Sequence, residues 1–109
     1  MPRTRAHLPQ TLDAVAVLGA QIAAARRRRR MPARELAERA GITEVTLRKV
    51  ERGDPSVAIG TVFDAVGVVG VELFGADPSQ LPSIVRRTRD QLALLPARVR
   101  STRPLDNDF

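Results

Sequence analysis

Residues 32–53 read PARELAERAGITEVTLRKVERG, and Gly41 splits them into two short helical patterns with only a tight turn between them. Ahead of the glycine, Leu36, Ala37 and Ala40 repeat at helical spacing; behind it, Ile42, Leu47 and Val50 do the same. Small Ala37 lets two helices cross closely, and Gly41 supplies the positive φ that the reversal needs. The residues left facing outward on the second helix are Thr43, Glu44, Val45, Thr46, Arg48, Lys49 and Arg52, mostly polar and cationic. A cationic helix carried on such a turn has the form of a helix-turn-helix, whose second helix can enter a DNA major groove.

Composition narrows the setting. A chain of 109 residues is one small domain with appendages. Its 43% of apolar residues includes three Phe and no Trp or Tyr, so the core is built from Ala, Val, Leu and Ile, as suits a helical bundle. The same shortage of aromatics argues against binding single strands by base stacking. Lys and Arg number 18 against 12 acids, a net charge of +6 that favours a polyanionic partner without specifying a fold. With no cysteine, disulfides and thiolate metal sites are excluded. The one histidine, His7, sits in a Pro-containing arm and reads as solvated tail. No nucleophile–base pair, metal cluster or phosphate loop is present in the pattern, so neither an enzyme nor a cofactor is expected.

Arg3 and Arg5 ahead of the Ala-rich stretch from Leu12 to Ala25 imitate a signal peptide, but Asp13 and Gln21 interrupt it and five arginines follow. Val15, Leu18, Ile22 and Ala25 instead mark one face of a first helix, and no segment is long and apolar enough to span a membrane. A cytoplasmic protein is the expectation.

The pattern predicts a flexible arm over residues 1–11, a DNA-binding domain over 12–76, a C-terminal helix within 77–96 and a disordered tail over 97–109. Within the domain, helices are expected over Leu12–Arg29, Pro32–Arg39, Glu44–Arg52 and Ala58–Val69, with a short fifth helix at Val71–Phe74. Thr43 is the expected N-cap of the third, while Pro32 leaves the second without a capping side chain. Ile59, Val62, Phe63 and Val66 are expected to face inward on the fourth. Beyond Asp77, the residues Ile84, Val85, Thr88, Leu92 and Leu95 form an apolar stripe that Pro96 ends.

From Leu18 to Phe74 the sequence resembles the lambda-repressor/Cro-like, or XRE-type, helix-turn-helix family. The resemblance rests on Leu18…Ile22…Arg26, on Glu35-Leu36-Ala37…Ala40-Gly41-Ile42, on Thr46-Leu47…Val50-Glu51-Arg52-Gly53 and on Pro55-Ser56. It implies an all-α fold, a five-helix lambda-repressor-like bundle with an extra C-terminal helix and a flexible tail. It also implies a homodimer on a palindromic operator of double-stranded DNA. Carried over residue by residue, it places Thr43, Glu44, Val45 and Lys49 toward base edges, and Arg34, Arg48 and Arg52 on phosphates. Arg26 and Glu51 are implied to pair inside the bundle. Many members carry Ser-Gln where this chain has Pro32-Ala33, which removes a Gln that braces DNA. Arg27 to Arg30 either reach phosphates or are solvated.

The stretch PSVAIGTVFDAVGVVG and the tail LALLPARVRSTRPLDNDF are similar to HipB-like antitoxins of HipA/HipB-type toxin–antitoxin systems. That resemblance implies a repressor of its own operon that binds a HipA-like serine/threonine kinase toxin, with Leu92, Leu95, Arg98, Arg100 and Phe109 in the contact. Two other readings remain beside it. One is a stand-alone XRE-type regulator whose last helix only dimerises; the other is a protein-interaction module with weak DNA binding. Val69, Val71, Leu73, Ile84 and Leu92 serve either a dimer contact or the chain's own core.

Overall fold

The computed structural model describes residues 6–99. Five α-helices account for most of them: α1 (Pro9–Arg28), α2 (Ala33–Ala40), α3 (Glu44–Glu51), α4 (Ile59–Val69) and α5 (Leu81–Ala93), with a 3-10 turn at Pro78–Gln80 before the last. The all-α helix-turn-helix bundle expected from the sequence is what forms. The chain divides into two units between Pro78 and Ser79.

The helix α1 starts three residues earlier than its apolar stripe suggests. Leu8 is extended and Pro9 takes the first helical position, where its fixed φ suits the helix and its missing N–H costs nothing. Residues 9–11 therefore belong to α1 and not to the arm. Its other end is an unusual stop. Arg30 adopts a left-handed φ of 55°, costing about 1–2 kcal/mol for a residue with a side chain, and the Met31 N–H closes back on the Arg26 carbonyl at 3.1 Å. Burial of the Met31 side chain offsets that strain.

The reversal between α2 and α3 follows from Gly41 at φ 72°, with the Ile42 N–H bonded to the Ala37 carbonyl at 2.9 Å. Thr43 then caps α3, its Oγ1 accepting from the Thr46 N–H at 3.1 Å. Ile22 and Ala25 of α1, Met31, Leu36 and Ala37 of α2, Leu47 and Val50 of α3, and Ala65, Val66 and Val69 of α4 close one core. Its largest fully buried members are Ile22, Leu36, Leu47, Val66 and Val69, each worth about 1.5–3 kcal/mol of burial.

Three expected features differ. Burial tapers toward the start of α4: Val66 is 1% exposed, Val62 and Phe63 are half-buried, and Ile59 at the first position is 71% exposed instead of facing inward. No helix forms at Val71–Phe74. Gly70 ends α4 at φ 76°, and Leu73 and Ala76 then exchange two backbone hydrogen bonds of 3.1 and 2.9 Å around Phe74 and Gly75. Both turn residues have positive φ, 57° and 69°, as a two-residue type I′ reversal requires. That reversal leaves Ala76 buried and Phe74 74% exposed. Val69 lies in the chain's own core, and Val71 and Leu73 pack against it.

In the second unit α5 stops at Ala93, so Leu95 falls in a bend after the helix and not on its stripe. Pro96 explains this, because it disfavours a helical backbone at Leu95 and obstructs the Leu92 carbonyl. Arg100 and Phe109 lie outside the described residues.

Candidate nucleic-acid interface

Leu47 and Val50 anchor α3 in the core, and their burial dictates what the opposite side presents. At 3.6 residues per turn, Glu44, Arg48, Arg52, Val45 and Lys49 fall in one arc of about 140°. All are exposed except Lys49, which is half-buried; Val45 is 55% exposed. Among the described residues Arg48, Lys49 and Glu44 hold no ion pair, and Arg52 only grazes Asp54 at 3.8 Å. The arc is thus one apolar side chain set among three cations and one acid, free to meet a surface.

Thr43 stands at the head of this arc with its hydroxyl engaged. Its Oγ1 accepts from the Thr46 N–H and donates to Thr46 Oγ1, both at 3.1 Å. What it offers outward is mainly a methyl group. Arg34, in the first turn of α2, is exposed and without an ion pair among the described residues. Glu35 turns to Arg39 across one helical turn at 2.8 Å, an exposed pair of small worth.

Two devices fix where α3 points. Arg26 of α1 donates from Nε to Glu51 Oε2 at 2.7 Å and from Nη2 to Glu51 Oε1 at 3.0 Å. Its Nη1 donates to the Met31 carbonyl at 3.0 Å. The side chains are 13% and 12% exposed, so one guanidinium ties the end of α3 to the turn between α1 and α2. The hydrogen bonds to Glu51 raise the Arg26 pKa above its ordinary value despite partial burial.

The second device was not legible as a site residue. Gly19 is buried where α1 crosses the end of α3: a Cβ there would strike the Val50 carbonyl oxygen and stand 2.8 Å from the Glu51 oxygen and 2.9 Å from the Gly53 nitrogen. Gly53, at φ 78°, returns the constraint, since its Cβ would lie 2.6 Å from the Ala16 Cα. The available signal was a glycine beside Leu18 on the apolar face of a helix, costing about 1 kcal/mol relative to alanine and so needing a reason.

Just past α3, Asp54 Oδ1 accepts from the Ser56 Oγ at 2.7 Å and from the Ser56 N–H at 2.8 Å. These bonds, the hydroxyl's first, hold the Asp54 carboxyl below its ordinary pKa, with the charges of Arg52 and Lys49 adding to them. Because the folded pKa is the lower one, the turn's stabilisation is present above the ordinary aspartate value and is lost as pH falls through the folded value. A carboxyl titration by NMR should place the Asp54 midpoint below the ordinary aspartate value, and Ser56→Ala should move it back up.

Of the arginine run, Arg28 and Arg29 line an open cleft of about 490 Å³ with Gln21, Val69, Gly70 and Glu72, at the C-terminal ends of α1 and α4. The tail residues Leu92 and Leu95 are 65% and 64% exposed, and Arg98 is exposed. No group of His, Asp or Glu that could hold a metal occurs among the described residues, and no described helix is long and apolar enough to cross a membrane.

Residues 17–81 match the helix-turn-helix domain family. The match takes in most of α1, all of α2, α3 and α4, and the reversal that follows. No curated protein matches the chain. With more than half of its length matched, and with α3 held so that its cationic arc faces outward, the chain belongs to the helix-turn-helix domain family of DNA-binding regulators.

Proposed function

We propose that the protein is a cytoplasmic, sequence-specific repressor that binds a palindromic operator as a two-fold dimer and blocks polymerase sterically. The observation that carries this reading is the uncovered arc of α3, which the Arg26–Glu51 pair and the Gly19–Gly53 crossing hold at a fixed angle. Glu44 accepts from a cytosine N4, Lys49 donates to guanine O6 or N7, and Val45 and the Thr43 methyl meet thymine methyls. Arg34, Arg48 and Arg52 bind phosphates and set the register. Selection from a randomised duplex library should return a palindrome with half-sites about 34 Å apart. At that site Lys49→Ala should cost about 1–3 kcal/mol and relax one base position, whereas Arg48→Ala should weaken all sequences alike and lower the salt slope by about one. If Lys49→Ala and Glu44→Ala both leave affinity and preference untouched, α3 is not the reading element.

A second reading adds a protein partner and is favoured by the apolar stripe of α5, no residue of which is fully buried. In it the repressor is the autoregulating antitoxin of a HipA-like serine/threonine kinase toxin, met by Leu92, Leu95 and Arg98 together with Arg100 and Phe109. Purification of the tagged chain from its own cells should then bring down a kinase in equal amount. Loss of that kinase on deleting residues 97–109 would support the tail contact, and retention would exclude it. A homodimer carrying DNA alone would favour a stand-alone regulator.

A further inference from the structure

Among the described residues, the apolar stripe of α5 has nothing within its own unit to cover it. That unit contributes, among the described residues, part of a 3-10 turn, the single helix and the short stretch to residue 99; no residue of the helix is buried. Leu81, Ile84, Val85, Thr88 and Leu92 fall within an arc of about 100° on a helix of 3.6 residues per turn. Leu81 and Ile84 are half-buried, Val85 is 44% exposed and Leu92 65%. A lone helix of 13 residues is marginal in water, so the stripe calls for another surface.

The rim decides which surface. On the same helical projection Arg89 borders one side of the stripe, with Arg86 behind it, and Gln91 and Arg87 border the other. The helix's one acid, Asp90, lies on the opposite side, about 180° from Leu81. None of the three arginines holds an ion pair among the described residues. The stripe is therefore edged by cations on both sides, with the helix's one acid on the far side. A second copy of the helix would set arginine against arginine along the seam, and like charges at such flanking positions oppose pairing.

We infer that α5 docks in an apolar groove of a different protein whose rim carries Asp and Glu. This deepens the partner half of the proposed function and does not rest on its DNA half, so the two are measured separately in the same samples.

The probe is a labelled peptide of residues 78–95 carrying Arg86→Glu, Arg87→Glu and Arg89→Glu, which keeps the stripe and inverts the rim. Its binding to the full-length chain by fluorescence anisotropy is compared with that of the unaltered peptide. The inverted peptide should bind about tenfold more tightly, and the preference should shrink as salt rises. Val85→Asp with Leu92→Asp in the full chain should abolish binding without changing duplex-DNA affinity or the bundle's melting temperature, because both side chains are exposed. Excess duplex should not displace the peptide. Arg87→Glu with Arg89→Glu in the full chain should reverse the preference toward the unaltered peptide.

Equal or tighter binding of the unaltered peptide would overturn the inference in favour of a second copy. Binding of neither peptide would overturn it as well, as would displacement by duplex, which would move the contact to the cationic arc of α3. Leu92-dependent binding of the full chain to phosphatidylglycerol vesicles, with no peptide binding, would make the stripe a membrane contact instead.

Discussion

Gly19→Ala should lower the melting temperature of the bundle by about 15 °C, measured by circular dichroism. The added methyl group meets only backbone: the Val50 and Glu51 carbonyl oxygens and the Gly53 nitrogen. No rotamer change relieves that contact, so α1 and the end of α3 must move apart. Overpacking of this kind costs about 3 kcal/mol, and each kcal/mol shifts a domain of this size by about 4–8 °C. Two other glycines serve as controls. Gly41 has positive φ but open space around it, so Gly41→Ala should cost only about 1–2 kcal/mol of backbone strain. Gly67 lies within α4, again with nothing nearby, and Gly67→Ala should stabilise by about 0.4–1 kcal/mol. If Gly19→Ala behaved like Gly41→Ala, the crossing would be slack and would not fix the pose of α3. DNA affinity should fall with Gly19→Ala even at temperatures where the protein is folded.

Glu51→Ala should cost about 2–3 kcal/mol, read as a drop in the urea midpoint with an unchanged slope. The figure is below that for a fully buried pair because both side chains keep slight exposure, 13% and 12%. The loss comes chiefly from Arg26, left partly desolvated with the Met31 carbonyl as its one remaining partner. Arg26→Ala strands the Glu51 carboxylate and the Met31 carbonyl instead, and should cost a similar amount. The double variant should be better than the sum of the single ones, giving a coupling energy of about 1–3 kcal/mol. Arg26→Lys should recover little, since an ammonium cannot hold both carboxylate oxygens and the carbonyl in one planar fork. Additive losses, or a coupling energy that vanishes in moderate salt, would show the pair to be ornamental to the fold.

What the sequence disclosed was local chemistry. The turn at Gly41, the cap at Thr43 and the outward arc of α3 are each specified within a few residues, by φ requirements, a capping hydroxyl and helical period. What it hid depends on residues distant along the chain. Gly19 resembles any small residue of an Ala-rich helix until Val50 and Gly53 are brought against it. Ile59 has the right period to be core, but burial tapers before reaching it. The apolar run after Gly70 has enough Val and Leu to suggest another helix turn. It reverses instead at Phe74 and Gly75, where Leu73 and Ala76 pair and Ala76 is buried. The early start of α1 is hidden differently: Pro9 lies before the apolar stripe begins, although proline is favoured at a helix's first position.

The brevity of α3 bears on how much information one copy can extract. Eight residues span about 12 Å, the rise of three to four base pairs. Four base pairs fully specified amount to about eight bits, one chance match in every few hundred positions. A genome offers about a million or more competing sites, which needs some twenty bits. One copy of this helix therefore falls far short of naming an address. In the proposed dimer, reading the same word twice at a fixed spacing would double the bits, and the rigidity that Gly19 and Arg26 give to α3 would keep the two readings in phase.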